Sequence, residues 1–125
     1  MFLKLPQNSE KLSWTWHSKG KMRQYGLSEK RVLRVLRHPN RKEEGIALGT
    51  IAVMQIYGTK KYPKEIWVMY QITKKKIESR KQKIENRKQI RIISAWRYPA
   101  RSPIGKLPPI PEDTLEELDK ILKEN

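Results

Sequence analysis

Residues 45–73 read GIALGTIAVMQIYGTKKYPKEIWVMYQIT, and the fold turns on them. Gly45–Gly58 is rich in Ile, Val and Tyr, which favour a pleated backbone, and reads as a strand with a bend or bulge near Gly49. Thr59–Lys64 contains Pro63 and reads as a turn. Glu65–Thr73 is a second strand, apolar on both faces except near its ends. Ile90–Tyr98 (IRIISAWRY) is a third, with Ile92, Ser94 and Trp96 expected to alternate against Arg91, Ile93, Ala95 and Arg97.

Upstream of this β region the signals are helical. Ser13–His17 is aromatic and β-branched, a short strand or the lead-in to a helix. His17–Gln24 spans about two turns, with Gly26 placed as a left-handed C-cap. Ser28 is an N-cap for a second helix, and Glu29 sits where the helix dipole favours an anion. Val32, Leu33, Val35 and Leu36 form its apolar stripe, and Pro39 ends it. Downstream, Pro99–Pro111 carries five prolines and should run extended. Asp113 and Glu116 resemble a capping box. Leu115, Leu118, Ile121 and Leu122 then line one face of a final short helix. The expected architecture is α+β: two N-terminal helices packed on a three- to four-stranded antiparallel sheet. Residues 1–98 form the domain, 99–111 a proline-rich segment and 112–125 an acidic helix.

Between the second and third strands lies KKKIESRKQKIENRKQ, residues 74–89. Residues 74–91 hold nine basic side chains (Lys74, Lys75, Lys76, Arg80, Lys81, Lys83, Arg87, Lys88 and Arg91) against Glu78 and Glu85. Ile77 and Ile84 are too few to pack a helix, so the segment reads as a hairpin extension or a helical arm that orders on a polyanion. Charge dominates the whole chain. Twenty-eight Lys and Arg oppose thirteen acids in 125 residues, a net charge of +15. Residues 112–125 carry −4, which leaves +19 on the rest. Nucleic acid is the expected partner, because each phosphate contact releases condensed counterions. An anionic membrane surface is disfavoured, since no long basic helix with a bulky apolar face is visible. With no cysteine, no signal-like start and no apolar stretch of membrane-spanning length, a reducing cytoplasm is the expected compartment.

Elimination narrows the chemistry. Residues 1–111 contain no Asp, so the clustered carboxylates of a two-metal nuclease are missing. Two histidines without cysteine or an HExxH motif argue against zinc, and neither metal nor cofactor is expected. Metal-free phosphodiester chemistry remains, in which a 2′-hydroxyl attacks the adjacent phosphorus and His, Lys, Arg and Tyr move protons and stabilise the phosphorane. The segment His17–Tyr25 supplies each type: His17, Lys19, Lys21, Arg23 and Tyr25. On a helix, His17 and Lys21 share a face, as do Lys21 and Tyr25.

The segment HSKGKMRQYGLS (17–28) resembles a pattern of small domains related to the RelE and BrnT toxins, with His17, Met22, Gly26, Leu27 and Ser28 in register. LRHPNR (36–41) is similar to the continuation of that pattern, and RIISAWR (91–97) to the RIISAR strand that ends the BrnT sheet. The resemblance covers roughly residues 13–98. Lys21 and Tyr25 stand where the family tends to have Arg, and residues 74–89 and the proline-rich tail are additions. The resemblance implies a barnase/RelE-like fold and endoribonuclease activity, often within a toxin–antitoxin pair. Ribosome-associated mRNA and a small antitoxin protein are then the implied partners. The expected catalytic set is His17, Lys21, Arg23 and Arg97. Lys19, Tyr25 and the nine basic residues of 74–91 are the expected nucleic-acid contacts. The alternatives are a non-catalytic RNA- or DNA-binding module on the same surface and an adaptor whose C-terminal helix docks on a partner.

Overall fold

The computed structural model describes residues 6–9, 11–44, 46–78 and 84–123. It is α+β, with elements in the order β1 (Leu12–Trp14), α1 (Trp16–Tyr25), α2 (Glu29–Arg37), β2 (Arg41–Glu44), β3 (Thr50–Gly58), β4 (Pro63–Glu78), β5 (Ile84–Tyr98) and α3 (Glu112–Lys123). The strands form one sheet in the order β1-β5-β4-β3-β2. This corrects the expected three- to four-stranded antiparallel sheet. Five strands are present, and β1 pairs in parallel with β5 through Leu12↔Ile90 and Trp14↔Ile92. The expected short strand or helix lead-in at Ser13–His17 resolves into both, with β1 ending at Trp14 and α1 beginning at Trp16, while β2 has no counterpart in the sequence reading. β1 is three residues long, and β2 is the polar run RKEE, held only by its pairing to β3.

The end-signals at Gly26 and Ser28 hold, and the structure adds an N-cap for α1 at Thr15. Thr15 caps α1 by accepting from the Ser18 N–H, and Gly26 closes it at φ 65° with the Leu27 N–H on the Met22 carbonyl at 2.8 Å. Ser28 caps α2 by accepting from the Arg31 N–H. Asp113 is not a cap. The Thr114 and Leu115 N–H groups bond to the Pro111 carbonyl instead, and Asp113 lies inside the first turn of α3.

Both faces of the sheet are buried, which is why β4 is apolar on both sides. On one face Ile66, Val68, Val53, Ile92 and Ala95 pack with Met22, Leu27, Val32 and Val35 from the α1–α2 layer. On the other, Trp67, Met69, Ala52, Met54, Ile93 and Trp96 pack under Leu118 and Ile121 of α3. Trp67 and Trp96, directly opposite in register, stack at 6.1 Å with an interplanar angle of 8°. Of the expected face of α3, Leu118 and Ile121 are buried together with Thr114, while Leu115 and Leu122 are exposed.

A β-bulge corrects the expected alternation in β5. Met69 pairs with Ser94 and Tyr70 with Ile92, so Ile93 has no partner and the side-chain phase shifts by one. Ile92 and Ala95 therefore share the α1–α2 face, while Ile93 and Trp96 share the α3 face. The described parts of the segment, 74–78 and 84–89, take the paired-strand alternative, not the helical one. β4 and β5 stay paired from Ile72↔Ile90 out to Glu78↔Ile84, well past the last β3 pairing at Gln71. Residues 99–111 contain no regular element. Ser102 pins them to Glu65 and Arg41 pins them through the Lys106 carbonyl, at 2.6 and 3.0 Å.

Because α3 supplies one wall of the core, Leu118→Ala should cost about 2–5 kcal/mol of stability, as buried leucines do. Leu122→Ala should cost less than about 1 kcal/mol at its half-exposed position. Urea denaturation of the two variants checks this; equal small losses would mean that α3 is loosely held.

Candidate functional site

Helix α1 presents two faces of different chemistry. Its inner face holds His17, Lys21 and Tyr25, spaced by four. Its outer face holds Trp16, Lys19, Gly20 and Arg23.

The inner face meets the start of α3. The Lys21 ammonium is nearly buried and donates to both carboxylate oxygens of Asp113 at 3.1 and 3.0 Å and to Gln24 Oε1 at 3.2 Å. It also lies 4.9 Å from the centre of the Tyr25 ring. His17 Nε2 is 3.1 Å from Thr114 Oγ1, which is 2.8 Å from Ser94 Oγ on β5. Burial pushes the His17 imidazole below its ordinary pKa of 6.5. The Asp113 and Glu117 carboxylates oppose that shift and the Lys21 and Lys120 ammonium groups assist it. Asp113 is held below its ordinary 3.8: burial works in the other direction, but the hydrogen bond and charge of Lys21 outweigh it.

The four expected catalytic residues do not converge. His17 and Lys21 lie together against α3. Arg23 is exposed on the other side of the helix. Arg97 donates from Nε to the Tyr25 carbonyl at 2.8 Å and lies 5.2 Å from the centre of the Tyr57 ring. That places it at the far end of α1, about 12 Å along the helix from His17 at 1.5 Å per residue. Arg97 therefore closes the C-terminus of α1, where a cation is favoured by the exposed carbonyls. His38 is the C-cap residue of α2.

Of the expected nucleic-acid contacts, Lys19 is half-buried beside Trp16, and Lys74 and Lys88 are exposed and directly opposite each other in register. Arg91 is half-buried opposite Gln71. Lys75, Lys76 and Arg87 are placed by backbone register alone, with Lys75 opposite Arg87 and Lys76 opposite Asn86. Arg80, Lys81 and Lys83 lie outside the described residues.

One partnership escaped the sequence reading, whereas Trp16 is one of four tryptophans whose indole could stack on a base. Asp113, as the partner of Lys21, comes from 92 residues away, and no local signal marks it. Trp16 is 82% exposed. It does have a sequence signal: on a helix its neighbours at i+3, i+4 and i+7 are Lys19, Gly20 and Arg23, so it has no apolar companion.

A second polar cluster is built around Glu65. The buried Glu65 carboxylate accepts from Trp67 Nε1 at 3.0 Å, Ser102 Oγ at 2.6 Å and Arg101 Nε at 3.2 Å. Burial would raise its pKa, but these hydrogen bonds outweigh burial and hold it below the ordinary 4.5. Arg41 lies 5.2 Å from the centre of the Trp67 ring and donates to Ser102 Oγ at 2.9 Å. The Trp67, Ser102, Arg101 and Arg41 donors are engaged with Glu65 or Ser102, so the cluster ties the proline-rich segment to the sheet. Among the described residues no three His, Cys, Asp or Glu side chains form a group that could hold a metal ion. No described helix is long and apolar enough to cross a membrane.

No family model, curated protein or solved structure matches the chain.

The lowered His17 and Asp113 pKa values fix the sign of the pH response. A group that is less willing to bind protons when folded contributes stability above its unfolded pKa and loses it as pH falls toward its folded value. Stability should therefore decline in two stages on acidification: below about pH 6.5 as His17 is driven to charge, and below about pH 4.5 as Glu65 and then Asp113 protonate and release their partners. In urea titrations His17→Gln should remove the first stage and leave the second. Retention of the first stage in that variant would assign it to another group.

Proposed function

We propose that the protein binds RNA, gripping phosphates with the β4–β5 arm and the solvent face of α1. The observation that carries this reading is the register of the arm. Lys74 is paired with Lys88 and Lys75 with Arg87, and cations directly opposite on paired strands repel. Nothing in the packing of the domain calls for a two-stranded ribbon of this sequence, since its outer residue pairs lie beyond both β3 and β1. A polyanion laid along the ribbon converts that repulsion into attraction and releases counterions. The net charge of +15 and the resemblance to RNA-directed toxins support the same partner. A ribbon of this kind is too broad for the deep, narrow major groove of A-form RNA, so unpaired regions are the natural target.

Metal-independent RNA cleavage is the second reading, favoured by one observation. His17, its pKa lowered, sits one helical turn from the Lys21 ammonium, an acid–base group beside a cation. In this arrangement Thr114 and Asp113 hold both groups, so the imidazole must exchange Thr114 for a 2′-hydroxyl before it can act. The antitoxin partner implied by the family belongs to this reading alone. The adaptor alternative has less support, because Leu118 and Ile121 of α3 are spent on the chain's own sheet and only Leu115 and Leu122 are left exposed.

Binding should weaken linearly in log affinity against log salt, with a slope of roughly −0.7 per single-strand phosphate neutralised. Replacing residues 75–88 by a short Gly/Ser turn should flatten that slope and weaken RNA binding roughly tenfold or more at low salt. An unchanged slope in the folded variant would remove the arm from the interface. For cleavage, total RNA incubated in EDTA should be cut by the wild type, while His17→Ala should be slower by about 10²–10⁴. Equal rates would exclude His17, and intact RNA in both would leave binding alone.

A further inference from the structure

Resting on the nucleic-acid binding proposed above, we infer that Trp16, Lys19, Gly20 and Arg23 form a stacking site for one unpaired nucleobase and its phosphates, which makes single-stranded RNA the ligand class. Four observations on the outer face of α1 lead there.

First, Trp16 is 82% exposed while Trp14, Trp67 and Trp96 are 5%, 0% and 1% exposed. A lone tryptophan on a polar helix gains nothing from folding, and an indole face is the most favourable stacking surface a protein can offer a base. Second, Lys19 holds its ammonium 4.7 Å from the centre of that ring. A cation in this position both preorganises the indole and lies within reach of the phosphate that accompanies a stacked base. Third, Trp16, Lys19, Gly20 and Arg23 line one shallow hollow of about 160 Å³. Trp16 stands at one end and Arg23, two turns along, supplies a guanidinium at the other. Fourth, Gly20 sits inside a ten-residue helix, where glycine is a poor helix former. A Cβ there would meet nothing within 4 Å, so neither packing nor backbone conformation demands glycine. What it does is keep the floor of the hollow flat between the tryptophan and the arginine.

Charge selects among occupants. An apolar peptide would leave Lys19 and Arg23 unmatched, and a rigid duplex keeps its base faces stacked internally. A single strand offers an accessible base face and phosphates together. The arm and this hollow then divide the work: the arm supplies sequence-independent phosphate contacts and Trp16 the contact that requires an unpaired base.

The other three tryptophans also emit but are buried, so quenching by a base in contact with an indole reports on Trp16. Titration of the full chain with a single-stranded oligoadenylate should quench the emission, and anisotropy of a labelled copy gives the affinity in parallel. Trp16→Phe should abolish the quench and keep most of the affinity, because phenylalanine still stacks. Trp16→Leu, apolar but without a π face, should bind the single strand about tenfold more weakly, with duplex RNA of the same length nearly unaffected. Gly20→Gln should weaken single-strand binding several-fold while melting at the same or a higher temperature, which separates a filled hollow from a damaged helix. If the oligonucleotide binds but does not quench and Trp16→Leu binds normally, the stacking site is wrong and the arm alone carries the binding. Equal losses for single strand and duplex would also overturn it, reducing the face to a charge contact. Quenching by anionic phospholipid vesicles, with none by RNA, would overturn it in favour of a membrane surface. Absence of any RNA binding at low salt would overturn the RNA-binding proposal and this site together.

Discussion

The unpaired residue Ile93 in β5 is the constraint on which the rest of the molecule depends. One extra residue against Met69 and Tyr70 shifts the side-chain phase of the strand. Below the bulge Ile90 and Ile92 face the α1–α2 layer; above it Ala95 and Arg97 do so, while Ser94 and Trp96 turn to α3. Without the shift Trp96 would lose its stacking partner Trp67, and Arg97 would point away from α1. The bulge also releases the Ile93 carbonyl, which accepts the Thr15 hydroxyl at 3.1 Å, while the Ile92 carbonyl accepts the Thr15 N–H at 3.1 Å. Thr15 is at the same time the N-cap of α1. A single irregularity in the sheet thus sets where α1 starts, how it is turned and which of its faces meets α3.

The rotation of α1 separates two uses of its polar residues. Toward α3, the N-terminal turn of an acidic helix meets Lys21 and His17, and a nearly buried ammonium is tolerable only because a carboxylate holds it with two hydrogen bonds. Toward solvent, Trp16, Lys19 and Arg23 are left without protein ligands of comparable strength. The most acidic segment of the chain therefore neutralises the inner face, and the positive field survives on the outer face and along the arm. In a chain of net charge +15, that asymmetry decides where a polyanion can approach.

Buried carboxylates are sparing and specific. Glu65 is fully buried, yet three donors reach it, two of them from Arg101 and Ser102 beyond the end of β5. A buried charge with directed partners specifies geometry more than it adds stability. Here it fixes the path of residues 99–111 across the sheet, and that path delivers Asp113 and Thr114 to α1. The proline-rich segment is thus the connection between the sheet and the neutralised face of the helix, and the two polar clusters depend on one another through it.

The sequence by itself determined what depends on neighbouring residues. Gly26 and Ser28 mark helix ends because a cap needs only a side-chain acceptor or a left-handed backbone within one turn. The paired strands β3, β4 and β5 follow from β-branched and aromatic runs, and the excess of cations from a count. Only the tertiary structure decided the rest. The parallel pairing of β1, the polar strand β2 and the bulge at Ile93 depend on which strand lies alongside, and sequence spacing carries no such information. The separation of His17 and Lys21 from Arg23 and Arg97 arose in the same way. Nearness along the chain placed His17, Lys21 and Arg23 on one helix segment and Arg97 on a strand. The direction of each side chain, and the arrival of Asp113 from the far end of the chain, were set by packing the sheet between two layers.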